Sequence, residues 1–333
     1  MDLRTAYLGQ PLRNPLVASA GPFGRTVAGV SRLADAGVGA VVLASLFEEQ
    51  LERESPARGA KPDTVFVPPG GQRHGSRGYL DLVEKAVAAV DVPVIASLNG
   101  CTTGGWTSYA TAVEEAGASA IELNLYFPQA DPLTSGREVE QRHVEVLTTV
   151  KAAVTIPVAV KISPYLSSPG EVALRLDRVG ADGLVLFNRF MQTGIDPETL
   201  CVDSTFELSR PADADFGRSW IARLRGRVRG SLAASTGVDE ARDVAAYLLA
   251  GADVVMTTSA LLRHGPEHAE TLMSGLAGWM RRKGFEDLTQ VRGLLSEPVA
   301  RHGVGKAGEP SDPRTGYLTA LHQASGKYAP DGI

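Results

Sequence analysis

Short, nearly continuous apolar runs alternate with amphipathic stretches along most of the chain. The runs are Leu16 to Ala20, Ala40 to Ser45, Val92 to Leu98, Ala120 to Tyr126, Val158 to Ser163, Gly183 to Asn188, Ser231 to Ser235 and Val254 to Ser259. They are rich in Val, Ile and Leu, as expected of parallel strands covered by helices on one side and packed inside on the other. Eight such runs with helical connections predict a closed (β/α)8 TIM barrel more than an open sheet.

The punctuation between the runs repeats. Strands two, four, six and eight are entered through a helix-stopping glycine: Ala36-Gly37-Val38, Ala116-Gly117-Ala118, Val179-Gly180-Ala181 and Ala250-Gly251-Ala252. Glycine suits the left-handed position just past a helix end, where a side chain clashes. Strands one, three and five are entered through Asn14-Pro15-Leu16, Val92-Pro93-Val94 and Ile156-Pro157-Val158. Proline is tolerated there because a strand's first residue needs no ladder donor. Only strand seven, opening with Gly230, breaks the alternation. Ordinary loop punctuation is the weaker alternative.

Two regions fall outside the pattern and follow strand C-termini, where barrels build binding sites: Phe47 to Gly78, long, charged and Gly/Pro-rich, and Arg189 to Gly217. Both are candidate lids. Residues 1–296 therefore read as one barrel with insertions at the C-terminal face. Residues 297–333 read as an extension packing on it or on a neighbouring subunit.

Composition narrows the class. At 44% apolar residues the chain can bury a large core, and a net charge of −5 without a long Lys/Arg block argues against nucleic acid as a partner. The two cysteines, Cys101 and Cys201, are too few for a disulfide framework, so a reducing cytosol is expected. The start Met1-Asp2-Leu3-Arg4 lacks a signal-peptide pattern, and no apolar run reaches membrane-spanning length. A cytoplasmic protein with a small-molecule partner and no membrane follows.

The strand ends are unusually polar: Ser45, Ser97 with Asn99, Asn124, Lys161, Asn188, Ser235-Thr236-Gly237 and Thr257-Thr258-Ser259. Any single Ser or Thr among them is explained as a satisfied core hydroxyl. Together, at one end of a barrel, they converge on a pocket. The turns after strands seven and eight stand where barrels commonly bind phosphate, with plain helix capping as the alternative. Lys161 lies inside an apolar strand, as either the paired charge of a working site or a Schiff-base nucleophile. His264 and His268 have metal-like spacing, but Gly265-Pro266 breaks the helix such a pair needs, and no metal is expected.

In order, these pieces resemble the dihydroorotate dehydrogenase family, and particularly its class 1 branch, from about Leu8 to Ser296. The matching segments are Asn14-Pro15-Leu16-Val17-Ala18-Ser19-Ala20-Gly21, Glu122-Leu123-Asn124-Leu125, Val160-Lys161-Ile162, the Thr236-Gly237 turn, and Thr258-Ser259-Ala260-Leu261 before Gly265-Pro266. The resemblance implies bound FMN and, for class 1, a homodimer. It puts Ala20 and Gly21 beside the flavin ring with Ser45 nearby, and Ser97, Asn124 and Lys161 along the ring and its ribityl side. It puts Ser209, Ser235, Thr236, Gly237, Thr258 and Ser259 at the phosphate, with Asn99 added by proximity. A lysine near the flavin N1/C2 edge favours the anionic reduced flavin.

The departures are concentrated on the substrate. Where the family has Asn-Leu-Ser-x-Pro-Asn, this chain has Asn124-Leu125-Tyr126-Phe127-Pro128-Gln129. The Cys or Ser that takes the C5 proton of dihydroorotate corresponds to Phe127, which cannot accept one. The usual lysine ending strand two appears as Ala44, no Asn-x-x-Gly-x-x-Asn segment lies between Leu46 and Tyr79, and Arg189 follows Asn188 where the family has Ser or Thr. The resemblance thus implies an FMN-dependent CH–CH oxidoreductase of the type serving pyrimidine biosynthesis, with dihydroorotate itself in doubt. Asn124, Asn188 and Arg189 are the expected substrate contacts, Arg189 through a substrate carboxylate. Tyr126 and Cys101 are the nearest replacement bases. The rivals are a flavin-free aldolase or lyase using Lys161 on a sugar phosphate, and a non-catalytic flavoprotein; a tRNA-modifying flavin barrel fits less well.

Overall fold

The computed structural model describes residues 1–48, 50, 76–100, 106–125, 133–189, 194–203, 207–297 and 313–328. Its strands, in chain order, are β1 (Thr5–Tyr7), β2 (Gln10–Leu12), β3 (Leu16–Ala18), β4 (Ala40–Val42), β5 (Leu46–Phe47), β6 (Val94–Gly100), β7 (Ala120–Leu125), β8 (Val158–Ile162), β9 (Gly183–Leu186), β10 (Gly194–Asp196), β11 (Cys201–Asp203), β12 (Ser231–Ser235) and β13 (Val254–Thr257). Parallel pairing runs β4-β3-β13-β12-β9-β8-β7-β6, and β6 pairs back to β4, closing an eight-stranded barrel. Each predicted apolar run supplies one of its strands. The fold is the expected (β/α)8 barrel.

The punctuation works as its chemistry requires. Gly37, Gly117, Gly180 and Gly251 all have positive φ, between 91° and 122°. The carbonyls of Pro15, Pro93 and Pro157 accept from Val255, Val41 and Ile121, so each proline joins the ladder through the one group it has. The second strand is split: β4 ends at Val42, the chain swerves at Leu43–Ser45, and β5 continues alongside β6. At the swerve Ala44 N–H donates to Gly24 O, and a Cβ on Gly24 would sit 2.8 Å from that nitrogen.

Two hydrophobic cores result. The larger fills the space between strands and helices. The smaller is the barrel lumen, lined by Val17, Ala40, Val42, Ile95, Ala120, Ala159, Val185, Ala233, Val254 and Met256. Four of these are alanines, where a barrel usually stacks bulkier branched residues. The volume is filled from below by Tyr7, Leu8 and Leu12 of the β1–β2 hairpin. Leu8 (φ 52°) and Gly9 (φ 75°) form the left-handed two-residue turn that suits the twist of a hairpin. Leu8 reaches Gly183, where a Cβ would lie 2.6 Å from its Cδ2, and Gln10 ties to Ser119 O at 2.6 Å.

Beyond β9 an antiparallel hairpin, β10–β11, occupies part of the expected lid, and the helix Ala214–Leu224 begins three residues before Gly217. The Phe47–Gly78 lid lies mostly outside the described residues. In the extension, the helix Pro313–Tyr328 exposes Tyr317, Leu318 and Leu321. Among the described residues no helix is long and apolar enough to cross a membrane.

Candidate functional site

Strand register places Phe47, Asn99, Asn124 and Lys161 side by side on β5, β6, β7 and β8 at the C-terminal end of the barrel. Two residues lower, Ser97, Glu122 and Ala159 form the next row. Residues in register and two apart share a face, and Ala159 belongs to the lumen core, so both rows face inward. Asn99, Asn124 and Lys161 are buried, whereas the Phe47 ring is 46% exposed at the mouth.

Several of these polar groups are held by contacts from other elements. Ser45 and Ser97 share a hydroxyl hydrogen bond at 2.8 Å. The Tyr79 hydroxyl accepts from Ser97 N–H at 2.9 Å and donates to Ser97 O at 3.1 Å, and burial pushes its pKa up, so it stays a donor. Lys161 Nζ donates to Ser19 Oγ at 3.1 Å and lies 3.7 Å from Glu122 Oε1. Thr258 Oγ1 in turn donates to Ser19 O at 2.8 Å, linking the last barrel strand to the first.

The opposite side of the mouth is built from turns. Thr236 (φ 81°) and Gly237 (φ 72°) are both left-handed, and the threonine is held there by its hydroxyl donating to Phe187 O at 3.1 Å. A non-glycine residue kept in this region costs of order 1–3 kcal/mol and persists where surrounding contacts impose it. The buried Tyr247 hydroxyl supplies one such contact, lying 2.9 Å from Thr236 O and 3.1 Å from Ser235 O. Ser209 N–H donates to Ser259 Oγ at 3.1 Å, while Arg263 bonds Ser209 O and pairs with Asp239. Gly21 packs on Thr258, where a Cβ would sit 2.5 Å from Cγ2, and a Cβ on Gly237 would sit 2.6 Å from Ala214 N.

The expected residues thus fall into two groups facing one mouth: Ser45, Ser97, Asn99, Asn124, Lys161 and Asn188 on one side; Ala20, Gly21, Ser209, Ser235, Thr236, Gly237, Thr258 and Ser259 on the other. Arg189, next to Asn188, lies 3.9 Å from Asp213, the residue before the Ala214 that packs on Gly237. Cys101, Tyr126, Phe127 and Gln129 lie outside the described residues. The His264 and His268 rings lie 4.6 Å apart between centres, tilted by 39°. Among the described residues no group of three His, Cys, Asp or Glu side chains is placed to hold a metal. Ser19 and Glu122, within the matching segments, carry no role of their own in the sequence, and Phe47, Tyr79 and Tyr247 are not marked there as site residues; only closing the barrel reveals which of them point inward.

The donor set suits FMN. Asn99, Asn124 and a buried ammonium offer hydrogen bonds to a polar ring edge. The hydroxyls and left-handed turn opposite suit a phosphate.

Residues 2–280 match the family model described as dihydroorotate dehydrogenase. The chain is 28% identical over 307 residues to the catalytic subunit of dihydroorotate dehydrogenase B (NAD(+)) of Methanothermobacter thermautotrophicus, covering 89% of this chain and 99% of that one. It is 27% identical over 322 residues to the NAD-dependent dihydropyrimidine dehydrogenase subunit PreA of Escherichia coli K12, covering 90% and 78%. A putative dihydroorotate dehydrogenase A (fumarate) of Aeropyrum pernix is 29% identical over 244 residues, covering 72% and 78%.

Proposed function

The chain belongs to the dihydroorotate dehydrogenase family, and on that premise we propose that it is an FMN-dependent oxidoreductase acting on a CH–CH bond of a small molecule other than dihydroorotate. The observation that carries the reading is the inward row Asn99, Asn124, Lys161 facing the Ser/Thr/Gly turns across one mouth. Bound FMN supplies the hydride acceptor or donor that such a reaction needs. Lys161 contributes a fixed positive charge, Asn124 and Asn99 orient the ring, and Ser235 to Gly237 with Ser259 receive the phosphate.

The substrate half of the reading rests on sequence. Phe127 stands where the family's proton acceptor belongs, and Ala44 where its strand-two lysine belongs. The names of these relatives concern dihydroorotate and dihydropyrimidine, both small partly reduced pyrimidine rings. The exposed Phe47 side chain beside Asn99 offers an apolar contact to a small ring at the mouth. The Schiff-base alternative is disfavoured by the ion pair that already engages Lys161.

The test is the absorption spectrum of the purified protein mixed with FMN, followed under anaerobic addition of dihydroorotate. The expected result is a bound flavin spectrum that dihydroorotate bleaches only slowly. Failure to take up FMN overturns the cofactor. Bleaching at an ordinary enzymic rate, about 1–1,000 per second, overturns the exclusion of dihydroorotate.

A further inference from the structure

Glu122 is an acid of the barrel lumen: its side chain is 1% exposed, and among the described residues neither carboxylate oxygen has a hydrogen-bond partner. A buried carboxylate without donors is costly, because desolvation removes water's hydrogen bonds and nothing in the lumen returns them. The charge nearest to it is Lys161, whose side chain is 7% exposed and whose Nζ is 3.7 Å from Oε1. The Tyr7 hydroxyl is also buried and without a hydrogen-bond partner among the described residues, and Glu122 is one of the charges that raise its pKa, after burial itself. Tyr7, Glu122, Lys161 and Ser19 are thus polar groups spread between the plugging hairpin and the mouth, with Ser97 in register beside Glu122.

The Lys161–Glu122 pair has a direction. Lys161 has three N–H donors: Ser19 takes one at 3.1 Å, and Glu122 lies behind the ammonium, on the row below the mouth. A carboxylate in that position draws the flexible lysine stem down into the lumen and offsets part of its charge. In a medium of low dielectric constant, a charge so close to the ammonium changes the potential it presents at the mouth far more than it would in water.

We infer that Glu122 is a positioning residue: its carboxylate is the counterion that fixes the Lys161 ammonium beneath the flavin and limits how strongly that ammonium stabilises the reduced, anionic ring. The inference rests on the FMN reading for its second half only; the ion pair itself belongs to the flavin-free chain. Removing the carboxylate while keeping the shape, as in Glu122→Gln, leaves Lys161 with its full charge. The flavin midpoint potential then moves to a more positive value. Glu122→Asp keeps the charge and returns the potential toward that of the unaltered protein. Truncation of Lys161, as in Lys161→Met, moves the potential the opposite way.

Two measurements test this. The first is a double-mutant cycle on the unfolding of the flavin-free protein with Glu122→Gln, Lys161→Met and both together. Each single change strands a buried charge, so the double variant is expected to be more stable than either single one. Single variants that fail to fold while the double variant folds give the same answer; a double variant that also fails, or a cycle without coupling, overturns the counterion. The second is the midpoint potential of the FMN-loaded protein. A positive shift in Glu122→Gln that Glu122→Asp reverses is expected, and an unmoved potential overturns the positioning role. If the protein takes up no FMN, it is the functional reading that fails, and the cycle still decides the ion pair.

Discussion

The side-chain amide of Asn188 donates to Oδ1 of Asn124 at 2.7 Å, joining the exits of β9 and β7 across the strand that carries Lys161. One of the two Asn124 Oδ1 lone pairs is thereby filled, and the groups left for a ligand include Asn124 Nδ2 and Asn188 Oδ1. Asn188→Ala is expected to cost about 0.5–1.5 kcal/mol of stability, the net worth of one such bond. With Asn124 no longer held, FMN affinity is expected to fall by up to roughly tenfold, equivalent to about 1.4 kcal/mol. Titration of the variant with FMN checks this, and an unchanged dissociation constant removes Asn124 from the flavin contacts.

Phe47 is a large apolar side chain left 46% exposed in register with Asn99. Exposed groups of this kind contribute little to folding, so Phe47→Ala is expected to change unfolding by about 0.5 kcal/mol or less. If the ring covers a planar ligand, the same change weakens binding at the mouth by roughly three- to tenfold at unaltered stability. Parallel measurement of melting and ligand titration separates the two effects. A large loss of stability with intact binding would reassign the ring to the core.

Tyr247 has one hydroxyl proton and three carbonyl oxygens around it, those of Thr236 at 2.9 Å, Ser235 at 3.1 Å and Ala214 at 3.3 Å. Removing the hydroxyl leaves buried carbonyls without a donor and loosens a turn that is left-handed at both Thr236 and Gly237. Tyr247→Phe is expected to cost about 1–3 kcal/mol of stability. Its effect on ligand binding should fall on the phosphate end alone. Affinity for FMN is expected to drop while affinity for riboflavin, which lacks the phosphate, stays the same; equal losses for both would contradict that placement.

The barrel was legible because its punctuation is local chemistry. Gly37, Gly117, Gly180 and Gly251 each sit where a positive φ is required, and Pro15, Pro93 and Pro157 each begin a strand through their carbonyl. The polar strand ends were legible for the same reason, since Ser97, Asn99, Asn124 and Lys161 stand at the ends of apolar runs. The β1–β2 hairpin was not, because its Leu8-Gly9 turn lacks the Asn-Gly or Asp-Gly signal and its burial depends on a lumen that exists only after closure. Glu122 was hidden similarly. In a run buried on both faces, nothing local says which residues point into the barrel, and register across β6, β7 and β8 decides it. Contacts such as Ser45 with Ser97, or Asn188 with Asn124, join residues 52 and 64 positions apart and belong to topology, not to spacing.

His143, on the helix Gly136–Lys151, is fully buried, with Nδ1 2.7 Å from Val139 O. Burial pushes its pKa below the ordinary 6.5, because the imidazolium loses more hydration than the Val139 carbonyl and the nearby Glu140 return. In the unfolded chain the ring binds its proton near 6.5; in the folded chain it does so only at lower pH. Between those two values the unfolded state holds more protons, so stability falls as pH falls through the window and is fully present above it. Carboxylates held low in the folded protein, such as Glu114 beside the Thr155 hydroxyl, titrate below their ordinary 4.5 and do not enter this range. Unfolding measured from pH 8 downward is therefore expected to be flat in this contribution until about 6.5 and to weaken below it. His143→Gln keeps a donor for Val139 O and removes the titration. The variant is expected to be somewhat less stable at pH 8 yet to lose less between pH 6.5 and 5 than the unaltered protein, and parallel pH profiles for the two would place the acid sensitivity elsewhere.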